Sequence, residues 1–249
     1  MLQTGLCSVS FRSLTPEQII KAAVAANLTL IEWGSDVHAP CDDIERLQEI
    51  ARLQAQYGIA CSSYGTYFRI GKDTPETLDA YIQGARILGT DILRLWCGTK
   101  GSADYTPQEQ EQLFTQCWLL ADKAQAAGVT LCMECHGGTM TDRADSAYAL
   151  MQAVNAPSFQ MYYQPSQYRT VEENVAYARL LSPYVRHIHT FNWDGDLRFP
   201  LREGLEPWKR YLDCFRGDHT LLLEFMPDDR IESLPEEANA LLAFIGGTL

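Results

Sequence analysis

Short apolar runs alternate with amphipathic segments along the chain. The runs are TGLCSVS (4–10), LTLIEW (28–33), GIACSSY (58–64), DILRLW (91–96), VTLCMEC (129–135), FQMYYQ (159–164), VRHIHTF (185–191) and TLLLEF (220–225). Each is short, rich in β-branched and aromatic residues, and read as a buried strand. A helical pattern follows each one. The first helix is expected from Thr15, with Pro16 at its first position and Gln18 placed to close a capping box. The same device is expected at Thr106/Glu109 behind Pro107, at Thr170/Glu173, and at Ser233/Glu236 with Pro235. TPE at 15–17 and 74–76 and TPQ at 106–108 mark three helix starts, while Gly58, Gly89 and Gly128 mark steps from a helix into the next strand.

Strand starts fall about 24 to 38 residues apart, the length of one strand-plus-helix unit. Eight such units predict the α/β class and a closed (β/α)8 TIM barrel. An open doubly wound sheet is the alternative, but the chain contains no GxGxxG or GxxxxGK[ST] phosphate loop. With no linker, low-complexity tract or compositional break, residues 1–249 are expected to form a single barrel domain.

Composition narrows the partners. The 249 residues are 46% hydrophobic and carry a net charge of −12, which disfavours phosphate backbones and anionic membranes. The chain has no apolar stretch of membrane-spanning length and no signal-peptide pattern at its start, so it is expected to be cytoplasmic. Eight cysteines in such a chain are expected to be free thiols. Cys132 and Cys135 form a CxxC, but alternation within a strand points them to opposite faces, so they are not expected to share a metal.

The chemistry of such a barrel lies at the carboxyl ends of its strands. There the fifth run delivers Glu134 and then His136, the sixth Tyr162 and Gln164, the seventh His187 and His189, and the eighth Glu224. Carboxylates among apolar neighbours need a cation or a titrating role. A divalent metal held by Glu134, Gln164, His189 and Glu224 satisfies all four. This set of oxygen and nitrogen donors, without a thiolate, suits Mn2+, Mg2+ or Co2+, with Zn2+ possible. Glu32, His38, Arg94, Trp96, Arg198 and Arg202 are expected around the same mouth, and Trp33, Tyr64, Tyr67, Trp96 and Trp193 could form an aromatic wall for a sugar. Two aspartates in MPDDRIE, after the eighth run, favour an unphosphorylated ligand. His219 is expected at the opposite end of the barrel in a structural role.

Over essentially its whole length the chain resembles the xylose-isomerase-like TIM-barrel superfamily. This sugar-phosphate isomerase/epimerase group includes ketose 3-epimerases, hydroxypyruvate isomerase and inosose dehydratase. The resemblance is carried by IEWG (31–34) with His38, Glu134-x-His136, His187-x-His189 and LLEF (222–225). It implies metal ligation by Glu134, Gln164, His189 and Glu224, with Mn2+ the expected ion. It also implies Glu134 and Glu224 as the acid/base pair; His38, His136, His187, Arg198 and Trp96, placed at or near the same mouth, are expected to bind substrate. Gln164 departs from the Asp usual in that family, which lowers the ligand charge and weakens the expected site. The expected function is isomerisation or epimerisation of a small sugar or polyol through an enediolate, and homo-oligomers are common in the family. The alternatives are dehydration of a keto-inositol and carbohydrate binding without turnover. DNA cleavage at abasic sites is disfavoured, because that branch needs many histidines and a basic groove, whereas this chain has five histidines and a charge of −12.

Overall fold

A computed structural model describes residues 2–246. Eight parallel strands close into a barrel: β1 (Leu2–Cys7), β2 (Leu30–Gly34), β3 (Ala60–Ile70), β4 (Ile92–Cys97), β5 (Thr130–Glu134), β6 (Phe159–Tyr163), β7 (Val185–Thr190) and β10 (His219–Leu223). β10 pairs with both β7 and β1, which completes the ring and excludes the open sheet. The surrounding helices are α1 (Pro16–Ala25), α2 (Ile44–Tyr57), α3 (Pro75–Leu88), α4 (Pro107–Ala127), α5 (Ala144–Val154), α6 (Val171–Leu181), α7 (Leu205–Leu212) and α8 (Leu234–Gly246). Between β7 and α7 the chain makes a small hairpin, β8 (Trp193–Asp194) with β9 (Leu197–Arg198), that the apolar pattern did not announce. A two-residue strand is too short to display a period.

Local chemistry sets most helix limits. Thr15/Gln18, Thr106/Glu109 and Thr170/Glu173 form complete capping boxes. Gly58, Gly89 and Gly128 close α2, α3 and α4 in the left-handed conformation, which glycine reaches without steric cost. The box expected at Ser233 is replaced by a different bond. Ser233 ends a short 3-10 turn and its hydroxyl donates to Asp228 Oδ2 at 2.7 Å.

Strand alternation divides the core. Leu6, Leu93, Leu131, Met161, Ile188 and Leu221 pack outward against the helices in the main cluster. Cys7, Ile92, Cys132, Tyr162 and Leu222 form a smaller cluster inside the barrel. Cys132 belongs to the inner set and Cys135 to the outer one, so the CxxC thiols face apart as expected.

Above the inner apolar cluster lies a charged layer. Arg94, 3% exposed, donates from Nε to Glu32 Oε1 at 3.0 Å and from Nη1 to Glu134 Oε2. The Ser63 hydroxyl donates to the other Glu32 oxygen at 3.0 Å. The guanidinium thereby joins β2, β4 and β5 across the barrel interior. Gly65 on β3 leaves room for it: a Cβ there would lie 2.9 Å from Glu32 Oε1 and 3.0 Å from Arg94 Nη2.

Two stability outcomes follow, both measurable by urea denaturation. Gly65→Ala should cost about 1–3 kcal/mol by forcing the ion pair apart, whereas Gly137→Ala, with open space at its Cβ position, should stay within about 0.5 kcal/mol. Arg94→Met, which strands Glu32 and Glu134 without their cation, should cost about 3–5 kcal/mol. A neutral Arg94→Met would mean that the buried carboxylates do not depend on the guanidinium.

Candidate active site

The carboxyl ends of the strands surround a cleft of about 470 Å3. Glu134 is the last residue of β5, and Gln164 and Glu224 each follow the last residue of their strand, so parallel pairing brings all three to the floor of one cup. His189, fully buried on β7, is their meeting point. Its Nδ1 lies 2.8 Å from Gln164 Oε1, 3.5 Å from Glu224 Oε2 and 3.7 Å from Glu134 Oε1. Its Nε2 makes no hydrogen bond and faces Glu32 Oε1 at 3.4 Å. Glu134 does not join His189 and Glu224 in a set whose donors are all mutually close, but His189 Nδ1 lies within 3.7 Å of a donor oxygen from each of the other three residues expected to hold a metal. Adjacent ligands of one divalent ion require that spacing, since metal–donor bonds of about 2.0–2.2 Å place neighbouring donors roughly 3–4 Å apart. A second set also converges: the donor atoms of Cys7, His189 and Glu224 all lie within 4.8 Å of one another, and all three residues are buried.

The two glutamates sit in different fields. Glu134 Oε2 accepts hydrogen bonds from Arg94 and from Trp96 Nε1, the latter at 2.7 Å, leaving Oε1 directed to His189. Burial pushes its carboxyl up, but Arg94 and then His189 and His136 outweigh burial and hold it below the ordinary range. For Glu224 burial prevails, reinforced by the charge of Glu134 against the opposing His189, and the carboxyl is pushed up. Burial would strip the proton from His189, yet Glu224 and Glu32 reverse this and push the imidazole up to about 9. Glu32 is also opposed by burial and held well below its usual value by Arg94 and His189.

The walls of the cleft are aromatic. Trp96 packs edge-on to Tyr67 at 5.2 Å and lies 5.3 Å from the His136 ring. Opposite are Phe191, Trp193 and Phe225, with ring centroids 5.4 and 5.6 Å apart in succession. Arg12 stands at the rim, donating to Asp36 Oδ2 at 2.7 Å and to the Tyr67 hydroxyl at 2.9 Å.

The structure brings Trp96, His136, Tyr67 and Trp193 to this cleft but leaves other expected residues outside it. His38 is buried beside the first strand's loop, with Nδ1 3.1 Å from Ser8 Oγ and Nε2 3.2 Å from the Leu14 carbonyl. His187 lies toward the amino-terminal end of the barrel, its ring nitrogens 3.0 and 3.2 Å from the Arg186 and Ser62 carbonyls. Burial pushes that imidazole down to about 4. His219 begins β10 at the same end, as expected. Arg198 does not line the cleft. It is paired to Asp229, and its guanidinium lies 4.7 Å from the Trp193 ring and 4.9 Å from the Phe225 ring. Arg202 is exposed and paired with Glu236. Trp33 and Tyr64 point outward into the core, where Trp33 donates to Gln54 at 2.7 Å and Tyr64 to the Ala39 carbonyl. Val9, Arg12, Tyr168, Phe191 and Phe225 line the cleft unannounced. Val9 sits in the short 3-10 turn after β1 and the others on loops, where no strand period marks a side chain's direction; for Phe225 the signal was its place directly after Glu224.

The sequence profile of the xylose isomerase-like TIM barrel matches residues 20–243. No curated protein matches the chain in sequence. Among solved structures, a probable 3-DHS dehydratase involved in petrobactin synthesis from Bacillus anthracis superposes with a TM-score of 0.83 at 19% identity, covering 97% of this chain and 99% of that one. D-psicose 3-epimerase from Clostridium cellulolyticum H10, solved with D-tagatose, gives 0.68 at 15% identity, covering 97% of each chain. A xylose isomerase-like TIM barrel protein from Mycobacterium smegmatis in complex with magnesium gives 0.69 at 15% identity, covering 95% of this chain and 91% of that one. At these identities the superpositions speak for the fold alone, while the profile match spans most of the chain: it belongs to the xylose isomerase-like TIM barrel family.

Proposed function

We propose that this protein is a metal-dependent isomerase or epimerase of a small, unphosphorylated sugar or polyol. The observation that carries the reading is the convergence of Glu134, Gln164 and Glu224 on His189 Nδ1 at the floor of an aromatic cleft. These four residues would hold the ion, Mn2+ first among the candidates. Bound there, a divalent cation would polarise a substrate carbonyl and stabilise the enediolate left when the adjacent carbon loses its proton.

The chain's own groups supply the rest. Arg94 and Trp96 fix one Glu134 oxygen and leave the other facing the floor of the cleft, which sets that carboxylate's direction before substrate arrives. Glu134 and Glu224 act as the acid/base pair, one taking the proton from carbon and the other returning it. Return to the opposite face gives an epimer; return to the neighbouring carbon gives the aldose–ketose isomer. Tyr67 and Trp96 on one side and Phe191, Trp193 and Phe225 on the other offer faces for a sugar ring or chain to stack on. A cleft of about 470 Å3 suits a small metabolite. Asp229 already neutralises Arg198, so the rim after β10 is poorly equipped for a phosphate. A dehydration reading starts from the same proton abstraction, and the His136 imidazole at the cleft gives it a further proton carrier for a departing hydroxide.

A screen of ketoses and polyols in D2O with Mn2+ should show solvent deuterium entering the carbon next to the carbonyl. Glu134→Gln and Glu224→Gln should each lower turnover by about 100-fold or more. Near wild-type turnover in both would end the assignment, and loss of water from product would move it to the lyase. Independently, Gln164→Asp should tighten Mn2+ binding by about tenfold or more, because it restores a charged donor. Calorimetry reads this directly. Wild type that takes up no divalent ion, beside a Gln164→Asp variant that does, would turn the reading into carbohydrate binding without turnover.

A further inference from the structure

We propose that Cys7 is a ligand of the metal site, its thiolate supplying beside His189 and Glu224 the anionic donor that Gln164 does not. The inference rests on the reading above that this site holds a divalent ion, and it names a donor outside the set of four. Cys7 ends β1, pairs in register with Glu32 on β2, is fully buried and faces the barrel interior. Its sulfur and the donor atoms of His189 and Glu224 lie within 4.8 Å of one another. Neighbouring donors to one ion with bonds of about 2.0–2.3 Å lie roughly 3–4 Å apart. His189 and Glu224 already meet that at 3.5 Å, and the thiol, within 4.8 Å of both, would have to close in to join them.

His189 meets Glu224 through Nδ1, the nitrogen that would face a shared ion, while Nε2 is turned to Glu32. The surroundings of Cys7 differ from those of four other thiols. Cys61 and Cys214 give their S–H groups to backbone carbonyls, and Cys97 and Cys117 face each other at 3.4 Å. Cys7 makes no such contact among the described residues; burial first, and then the charges of Glu32 and Glu224 against Arg94, push its thiol up, so its proton leaves only in exchange for a cation. Packed in the inner apolar cluster, such a thiol is inert by itself and becomes a donor only when a bound cation replaces its proton. On coordination the thiol proton leaves for solvent and the sulfur lone pair forms the bond. The consequence is a changed preference: a sulfur donor moves the site from Mn2+ and Mg2+ toward Zn2+ and Co2+.

Titration of the purified full-length protein with Co2+ tests this without any substrate. Binding of one ion per chain should raise a near-ultraviolet sulfur-to-cobalt charge-transfer band. That band should be absent in Cys7→Ser and unchanged in Cys41→Ser and Cys214→Ser, whose thiols are the half-buried ones. Cys7→Ser should also weaken Zn2+ binding by about tenfold or more while affecting Mn2+ less. Should Cys7→Ser fail to fold, X-ray absorption of the zinc-loaded wild type decides, since a sulfur neighbour at about 2.3 Å is expected. Bound ion with only nitrogen and oxygen neighbours overturns the role of Cys7 and leaves the metal-dependent reading standing. A wild type that binds no divalent ion overturns both.

Discussion

A guanidinium held between two carboxylates inside the barrel is the interaction on which the rest of the site depends. Arg94 reaches from β4 to Glu32 on β2 and Glu134 on β5, and all three side chains are almost fully excluded from solvent. Three charges in such a place are costly unless every lone pair and proton finds a partner. Here Ser63 takes the second Glu32 oxygen, Trp96 shares the Glu134 oxygen with Arg94, and Gly65 yields the space. The outcome for function is directional. Glu134 is held as an anion with one oxygen spent on structure and the other presented to His189.

Closure of the barrel turns that local arrangement into a cup. Each inward position is set by alternation along its strand, and the ring places the ends of β5, β6, β7 and β10 side by side. His189 is therefore surrounded by Glu32, Glu134, Gln164 and Glu224, contributed by four different segments far apart in sequence. Neighbouring carboxylates act on one imidazole, which is why its proton is held so tightly and why a bound cation would have to displace that proton.

Much of this was legible in the sequence because it follows from periods. Eight apolar runs at βα spacing imply the barrel, and the charged residues at the ends of the runs imply the cup. Depth was harder to read. His187 and His189 share a face, but two residues of strand span about 6.6 Å, enough to move His187 from the mouth to the amino-terminal end, where only backbone carbonyls meet it. Trp33 and Tyr64 were readable and misassigned: Glu32, Ser63 and Gly65 face inward, so their neighbours must face the helices. His38 and Arg198 lie outside the barrel strands, where no period applies. Nothing in the residue order announces that Asp229 captures one and that Ser8 and Leu14 enclose the other.

The rim shows how loops without periodicity are still fixed. Phe225 adopts a left-handed conformation, φ 57°, directly after Glu224. An aromatic side chain pays roughly 1–3 kcal/mol for that backbone, which persists only when its surroundings over-determine it. They do: the Phe225 amide donates to Ser10 Oγ at 2.8 Å, tying the end of β10 to the turn after β1. Its ring packs at 5.6 Å from Trp193 with the Arg198 guanidinium across both rings. The sharp turn lets Glu224 point into the barrel while the next side chain forms the cleft wall, which an extended strand end could not do with two successive residues facing one cavity. Strain at Phe225, the hairpin that carries Trp193 and Arg198, and the Asp229 ion pair therefore form one device. It converts a strand terminus into both the floor and the side of the cleft.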